Sequence, residues 1–161
     1  MRIHVRPAAR KDADAWTRMR VALWPEDTCE GHAREVDRYF EGVLRMPLEV
    51  LIAVDGAGTA VGFVELNIRA YAEDCETDRV AYLEGWYVVP DMRRRSVGRA
   101  LLAAAEDWAI GQGCTEFASD ALLTNTTSAA AHLALGFNET VQLRCFKKTL
   151  RPQPISSSAR P

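Results

Sequence analysis

At 161 residues the chain has the length of one domain, enough to bury a core without disulfides or a metal. A net charge of −2 on a mixed surface gives no global pull toward nucleic acid or an anionic membrane, so charge recognition must come from local clusters. Cys29, Cys75, Cys114 and Cys145 are scattered, with no Cys-x-x-Cys pair and no histidine at ligand spacing, so they read as reduced thiols and no zinc site is expected. No signal core and no stretch near the ~18 apolar residues of a membrane span occurs, which makes the cytoplasm the expected compartment.

In chain order, residues 2–6 alternate polar and apolar and predict a first strand, with His4 on its surface. Asp12 and Asp14 open a helix with Ala15, Trp16, Met19, Ala22 and Leu23 on its apolar side, ended by Pro25. Trp24-Pro25-Glu26-Asp27 forms an aromatic and acidic corner. A second helix is expected from about Glu30 to Leu44, carrying Val36, Tyr39, Phe40 and Val43. Strands over 50–54 and 61–68 flank Asp55-Gly56-Ala57-Gly58 and predict a hairpin. The stretch 70–79 is an acidic loop.

The run Tyr82 to Val89 reads as a buried strand stopped by Pro90, whose missing N–H ends a central ladder. Arg93, Arg94 and Arg95 follow, then Ser96-Val97-Gly98 and a helix over 98–111 with Leu101, Ala104, Ala105 and Trp108 at helical spacing. Unpaired amides at a helix start, ringed by guanidinium groups, suit a diphosphate. Beyond Gly113 a strand is expected over 115–120, ending in Asp120. Asn125 to Ser128 cap a short helix, Ala129 to Leu135, closed by Gly136. A last strand is expected from Glu139 to Lys147, and 151–161 reads as a mobile Pro/Ser-rich tail. This order predicts a mixed α/β domain over 1–150, a mostly antiparallel sheet with one strand-helix-strand crossover, flanked by helices.

Arg93-Arg94-Arg95-Ser96-Val97-Gly98 resembles the pyrophosphate loop of the GNAT acetyltransferases, Arg/Gln-x-x-Gly-x-Gly/Ala, with Ser96 in place of the first glycine. If that backbone takes positive φ, serine costs roughly 1–2 kcal/mol there. Asn125 to Phe137 resembles the family segment along the pantetheine arm, with His132 where many members carry tyrosine. Leu23-Trp24-Pro25, Tyr82-Leu83-Glu84-Gly85, Ala118-Ser119-Asp120 and Asn125-Thr126 through Glu139-Thr140 narrow the likeness to the aminoglycoside 6′-N-acetyltransferases. The resemblance implies a sheet splayed between its fourth and fifth strands, and acetyl transfer from acetyl-CoA to the 6′-amine of an aminoglycoside such as tobramycin, kanamycin or amikacin. It places the acyl donor on Tyr87, Val88 and Val89, on Arg94, Arg95, Ser96, Val97, Gly98, Arg99 and Ala100, and on Asn125, Ser128 and His132.

A polyamine substrate asks for carboxylates, here Glu26, Asp27, Glu73, Asp74, Glu84 and Asp120, with Trp24 and Tyr71 as faces for sugar rings. Each exposed ionic contact contributes only ~0–1 kcal/mol, so several must act together. Glu84, beside apolar Leu83 and Trp86, is the expected base; the alternative is a clamp on the substrate amine, with Asp120 sharing or taking the proton. A backbone N–H within Tyr87 to Val89 is the expected oxyanion donor. His132 either protonates the departing thiolate or only lines the channel. With no cysteine in these motifs, direct transfer without an acetyl-enzyme is expected. Related enzymes imply a homodimer joined through the last strands. Two alternatives stand beside this: an acetyltransferase for another amine, such as a polyamine or protein N-terminus, and a non-catalytic CoA or amine sensor, to which Ser96 points.

Overall fold

A computed structural model describes residues 2–150, so the Pro/Ser-rich tail lies outside the described residues. The first strand, β1 (His4–Pro7), pairs antiparallel with β2 (Glu49–Val54), which forms a hairpin with β3 (Ala60–Arg69). Asp55 Oδ1 accepts from the amides of Ala57 and Thr59 and closes that turn. Next, β4 (Val80–Val88) runs antiparallel to β3, and the chain crosses through α3 (Val97–Gly111) to β5 (Phe117–Ser119), parallel to β4. The sheet order is β1-β2-β3-β4-β5, as the mostly antiparallel expectation requires.

Because side chains alternate across a sheet, its two faces bury different helices. Leu51, Ala53, Val64 and Leu66 pack with Leu101, Leu102 and Ala105 of α3. On the other face Val50, Ile52 and Phe63 pack with Trp16 and Met19 of α1 (Ala13–Leu23) and Val36 of α2 (Cys29–Phe40). Each large side chain buried this way contributes about 1.5–3 kcal/mol. The last helix, α4 (Thr126–Ala134), packs near β5 through His132.

Two sequence expectations need correction. Helix α2 stops at Phe40 rather than Leu44: Gly42 takes φ +70°, and the amides of Gly42 and Val43 bond back to the carbonyls of Tyr39 and Arg38. That left-handed cap outranks the apolar spacing that carries on through Val43. The expected strand Glu139–Lys147 is not a strand: residues 138–150 join no ladder, and Val141, Leu143, Phe146 and Leu150 are exposed. A strand exists only against a partner edge, and among the described residues the segment meets none.

Just ahead of α1, the buried Asp12 carboxylate accepts from Arg6 Nη1 at 2.6 Å, Arg6 Nη2 at 2.9 Å and the Ala9 amide at 2.8 Å. The Arg6 bonds hold its pKa below the ordinary aspartate value. A depressed folded-state pKa means stability that is fully present above the unfolded value near 3.9 and lost as pH falls through the folded one. Replacing Asp12→Asn is therefore expected to cost about 2 kcal/mol in urea unfolding at neutral pH. The gap between variant and wild type should close as the pH is lowered past the ordinary aspartate range.

Candidate active site

At Glu84, strand β4 loses both its neighbours. Its pairing with β3 passes from Leu66↔Leu83 to Glu65↔Gly85, so Glu84 has no register partner there. On the other side, pairing with β5 ends at Leu83↔Ser119. A bulge of this kind re-aims a side chain and ends a ladder. Beyond it, the β5-facing edge of β4 has no ladder partner among the described residues. The Val89 amide donates to Val61 O at 3.0 Å, so that expected oxyanion donor is already spent. By strand alternation the Trp86 and Val88 amides face the open edge instead.

This edge leads into the arginine turn. Arg94 and Ser96 both have positive φ, +57° and +65°, so the strain foreseen for Ser96 is present and Arg94 shares it. Arg93 Nε donates to Val88 O at 3.0 Å and its guanidinium lies over the Tyr87 ring, whereas Arg94, Arg95 and Arg99 are exposed and unpaired among the described residues. Ser96 makes no side-chain cap, and the amides of Val97, Gly98 and Arg99 precede the first bond of α3, from Ala100 N to Ser96 O. Open amides and free guanidinium groups fit a diphosphate. Gly98 answers a packing need: a Cβ there would stand 2.9 Å from Trp86 Cζ2. The buried Trp86 Nε1 has no acceptor among the described residues, a donor left over beside the turn.

On the opposite flank of the bulge lies a cleft of about 290 Å³ whose walls include Trp24, Asp27, Glu35, Met46, Glu65 and Glu84. The lining itself holds one cation beside these four carboxylates, Arg20, and Arg69 pairs with Glu84 from outside the wall. Arg20 bonds Glu65 at 2.6 Å, pairs with Glu35, donates to His32 Nδ1 and lies 5.0 Å from the Trp24 ring centre. His32 Nε2 bonds the Trp24 carbonyl at 3.0 Å and its ring stacks on the indole. Burial pushes the Glu65 carboxyl up, against Arg20 and the Trp16 indole, which hold it down. Of the expected acidic lining, Asp27 and Glu84 are in place, while Glu26, Glu73, Asp74 and Asp120 are not part of these walls. Tyr71 is 68% exposed, on a loop that Glu116 fastens by accepting from the amides of Glu76 and Thr77.

Glu84 does not sit among apolar groups. Arg69 Nη2 and Nε grip its two oxygens at 2.6 and 3.0 Å, and Asn67 Nδ2 donates to Oε1 at 3.2 Å. The Arg69 guanidinium stacks 3.4 Å from the Tyr82 ring centre, and Tyr82 Oη donates to Asp120 Oδ2 at 2.8 Å. Burial first, and Asp120 second, push the Tyr82 phenol well up. Glu84 and Asp120 are thus two ends of one chain of contacts, and Asp120 Oδ1 has no partner among the described residues.

His132 does not present a free ring nitrogen. Its Nδ1 lies 2.8 Å from Ser128 O, its Nε2 lies 2.9 Å from Ser119 Oγ, and the Trp86 and Phe137 rings pack edgewise with it. Asn125 Oδ1 accepts from the Ser128 amide, so Asn125 caps α4. Residues that sequence reasoning missed are Arg20, Glu35, Glu65, Asn67, Arg69, Tyr82 and Ser119. Glu65, Asn67 and Arg69 alternate along an apolar strand, a legible polar stripe on one face. The others meet only in the folded chain.

Gly85 makes room for the cleft's aromatic wall, since a Cβ there would stand 2.6 Å from Trp24 Cη2. Gly85→Ala should lower stability by about 1–3 kcal/mol through overpacking, and intrinsic tryptophan fluorescence should report a more solvated indole. Residues 16–137 match the profile of the Acetyltransferase (GNAT) family. The chain is 55% identical over 146 residues to an aminoglycoside N(6′)-acetyltransferase type 1 of Klebsiella aerogenes, covering 91% of this chain and 96% of that one. It superposes on AAC(6′)-Iy in complex with the bisubstrate analog CoA-S-monomethyl-acetylneamine with a TM-score of 0.84 at 32% identity, covering 93% of this chain and all (100%) of the other. AAC(6′)-IG from Acinetobacter haemolyticus gives 0.83 at 36% identity, with 92% and 99% covered. The open edge of β4, the turn that follows it and these likenesses agree: the chain belongs to the GNAT acetyltransferase family.

Proposed function

We propose that residues 1–150 act as one domain that transfers acetyl from acetyl-CoA to the 6′-amine of an aminoglycoside, a resistance activity. The observation that carries this is the bulge at Glu84, where a carboxylate-lined cleft for a polyamine meets the open edge of β4 that runs to the arginine turn. Relatives named as aminoglycoside N(6′)-acetyltransferases support it. Arg94, Arg95, Arg99 and the amides of Val97, Gly98 and Arg99 would hold the diphosphate, the expected Ala100 amide being spent on Ser96 O, and the edge from Trp86 to Val88 would pair with the pantetheine arm like an added strand. Asn125 and Ser128 serve that arm by capping α4 and orienting His132. None of the four cysteines lines the cleft, which supports direct attack with both substrates bound. Reduced thiols and the need for acetyl-CoA support the cytoplasm as the working compartment. No helix among the described residues is long and apolar enough to cross a membrane.

A thiol-release assay with acetyl-CoA and tobramycin tests the activity, with resistance in a sensitive host as the cellular check. Arg94→Ala combined with Arg95→Ala should raise KM for acetyl-CoA by about 10-fold or more and leave KM for tobramycin near wild type. Turnover only with a polyamine or a protein N-terminus moves the substrate to that amine. Binding of acetyl-CoA without thiol release moves the protein to the sensor class.

For the base, the geometry favours Asp120 over Glu84. Both Glu84 oxygens are held by Arg69 and Asn67, so Glu84 is suited to orient the amine, whereas Asp120 keeps one oxygen open. Asp120→Asn should lower kcat by about 10²-fold or more and flatten the acid limb of its pH profile, while Glu84→Gln acts mainly on KM for the aminoglycoside. The reverse pattern assigns the proton to Glu84.

The exposed Val141, Leu143 and Phe146, the last 89% exposed, support a homodimer in which 138–150 finds a partner edge on a second copy. Sedimentation should give a dimer for wild type and a monomer for Leu143→Asp with Phe146→Asp. A wild-type monomer removes the dimer.

A further inference from the structure

The group that meets the departing sulfur has to stand where β4 and β5 part, and the last residue paired there is Ser119, opposite Leu83. Its hydroxyl lies 2.9 Å from His132 Nε2 and 3.3 Å from the Leu83 carbonyl. Proton inventory then orders the three groups. Ser128 O is a carbonyl and only accepts, so the Nδ1 that lies 2.8 Å from it carries a hydrogen. In the neutral ring Nε2 is therefore an acceptor, Ser119 donates to it, and the Leu83 bond is given up. In the imidazolium Nε2–H donates to Ser119 Oγ, which frees the Ser119 hydrogen for Leu83 O, and all three bonds are made at once. The Ser119 hydrogen thus switches sides with the charge on His132.

The ring has no other outlet. Nδ1 is turned into α4, Nε2 is turned onto Ser119, and the flanking Trp86 and Phe137 rings are 5.3 and 5.1 Å away by their centres. The ring's hydrogen-bond partners are the Ser119 hydroxyl of β5 and the Ser128 carbonyl and hydroxyl of α4, and no carboxylate or guanidinium among the described residues bonds it.

We propose that Ser119, not His132, is the residue that protonates the leaving thiolate, and that His132 refills it, which rests on the acetyl-transfer reading above. As the carbon–sulfur bond breaks, the Ser119 hydroxyl gives its proton to sulfur and takes the Nε2 proton of the imidazolium. The ring is left neutral with its Nδ1 hydrogen still on Ser128 O. One proton reaches sulfur and one leaves His132, and the amine's own proton goes separately to a carboxylate.

Ser119→Ala is expected to lower kcat by about 10²-fold with both KM values near wild type. His132→Gln should do the same, and the double variant should be no slower than the slower single one, because the two act as one relay. Ser119→Thr, which keeps the hydroxyl on a strand, should recover most of the rate. On the substrate-free protein, nitrogen-15 spectra of the imidazoles should show the Nδ1–H tautomer for neutral His132. Ser119→Ala should move the Nε2 signal and leave Nδ1 in place. Losses that multiply in the double variant, an effect confined to KM, an Nε2–H tautomer, or a wild-type rate for Ser119→Ala each overturn the relay. Failure of the wild type to release thiol with any amine overturns the acetyl-transfer reading instead, and the nitrogen spectra still decide the relay's geometry.

Discussion

Both halves of the site depend on one stretch of backbone that gives up its hydrogen-bond partners. A strand inside a sheet is normally paired on both edges, because an unpaired N–H or C=O away from water is costly. Here β4 is paired through Leu83 and open on one side from Glu84 onward. The extra residue at the bulge turns a carboxylate toward a cleft on one flank, and the opened edge offers donors and acceptors on the other. One irregularity therefore brings an amine-binding surface and an extended-chain-binding edge to the same point.

The cleft wall is held by a polar core. Arg20 joins Glu65 of the sheet, Glu35 and His32 of α2, and the face of Trp24 at the end of α1. Removing either Arg20 or Glu65 would strand the other as a buried charge, which ties α1 to the sheet. That matters for recognition: an aromatic face and a set of carboxylates select a polyamine only if their spacing does not relax around each guest. Gly85, lacking a Cβ, lets Trp24 rest directly on β4 and so next to Glu84.

The arginine turn works by a different constraint. Two non-glycine residues in left-handed backbone, Arg94 and Ser96, each cost roughly 1–2 kcal/mol, and that strain leaves the first amides of α3 uncapped. A side-chain cap from Ser96 would stabilise the helix and fill the place an anion needs. Strain and an open helix start thus occur together at the point where binding can offset them.

Local sequence by itself determined the order of elements from β1 to α4, the hairpin, the stop at Pro90 and the basic turn. These follow from periodicity, proline and capping chemistry acting over a few residues. It also singled out Trp24, Asp27, Glu84, Asp120 and His132 by their chemistry. Only the tertiary structure decided that Glu84 is gripped by Arg69, that Val89 is spent on Val61, that His132 faces Ser119, and that 138–150 has no strand to pair with among the described residues. Each of those is a contact between residues far apart in the chain. A side chain's chemistry is written in its own residue, while its partner, and so the work it is free to do, is set by whatever the fold brings within about 3 Å of it.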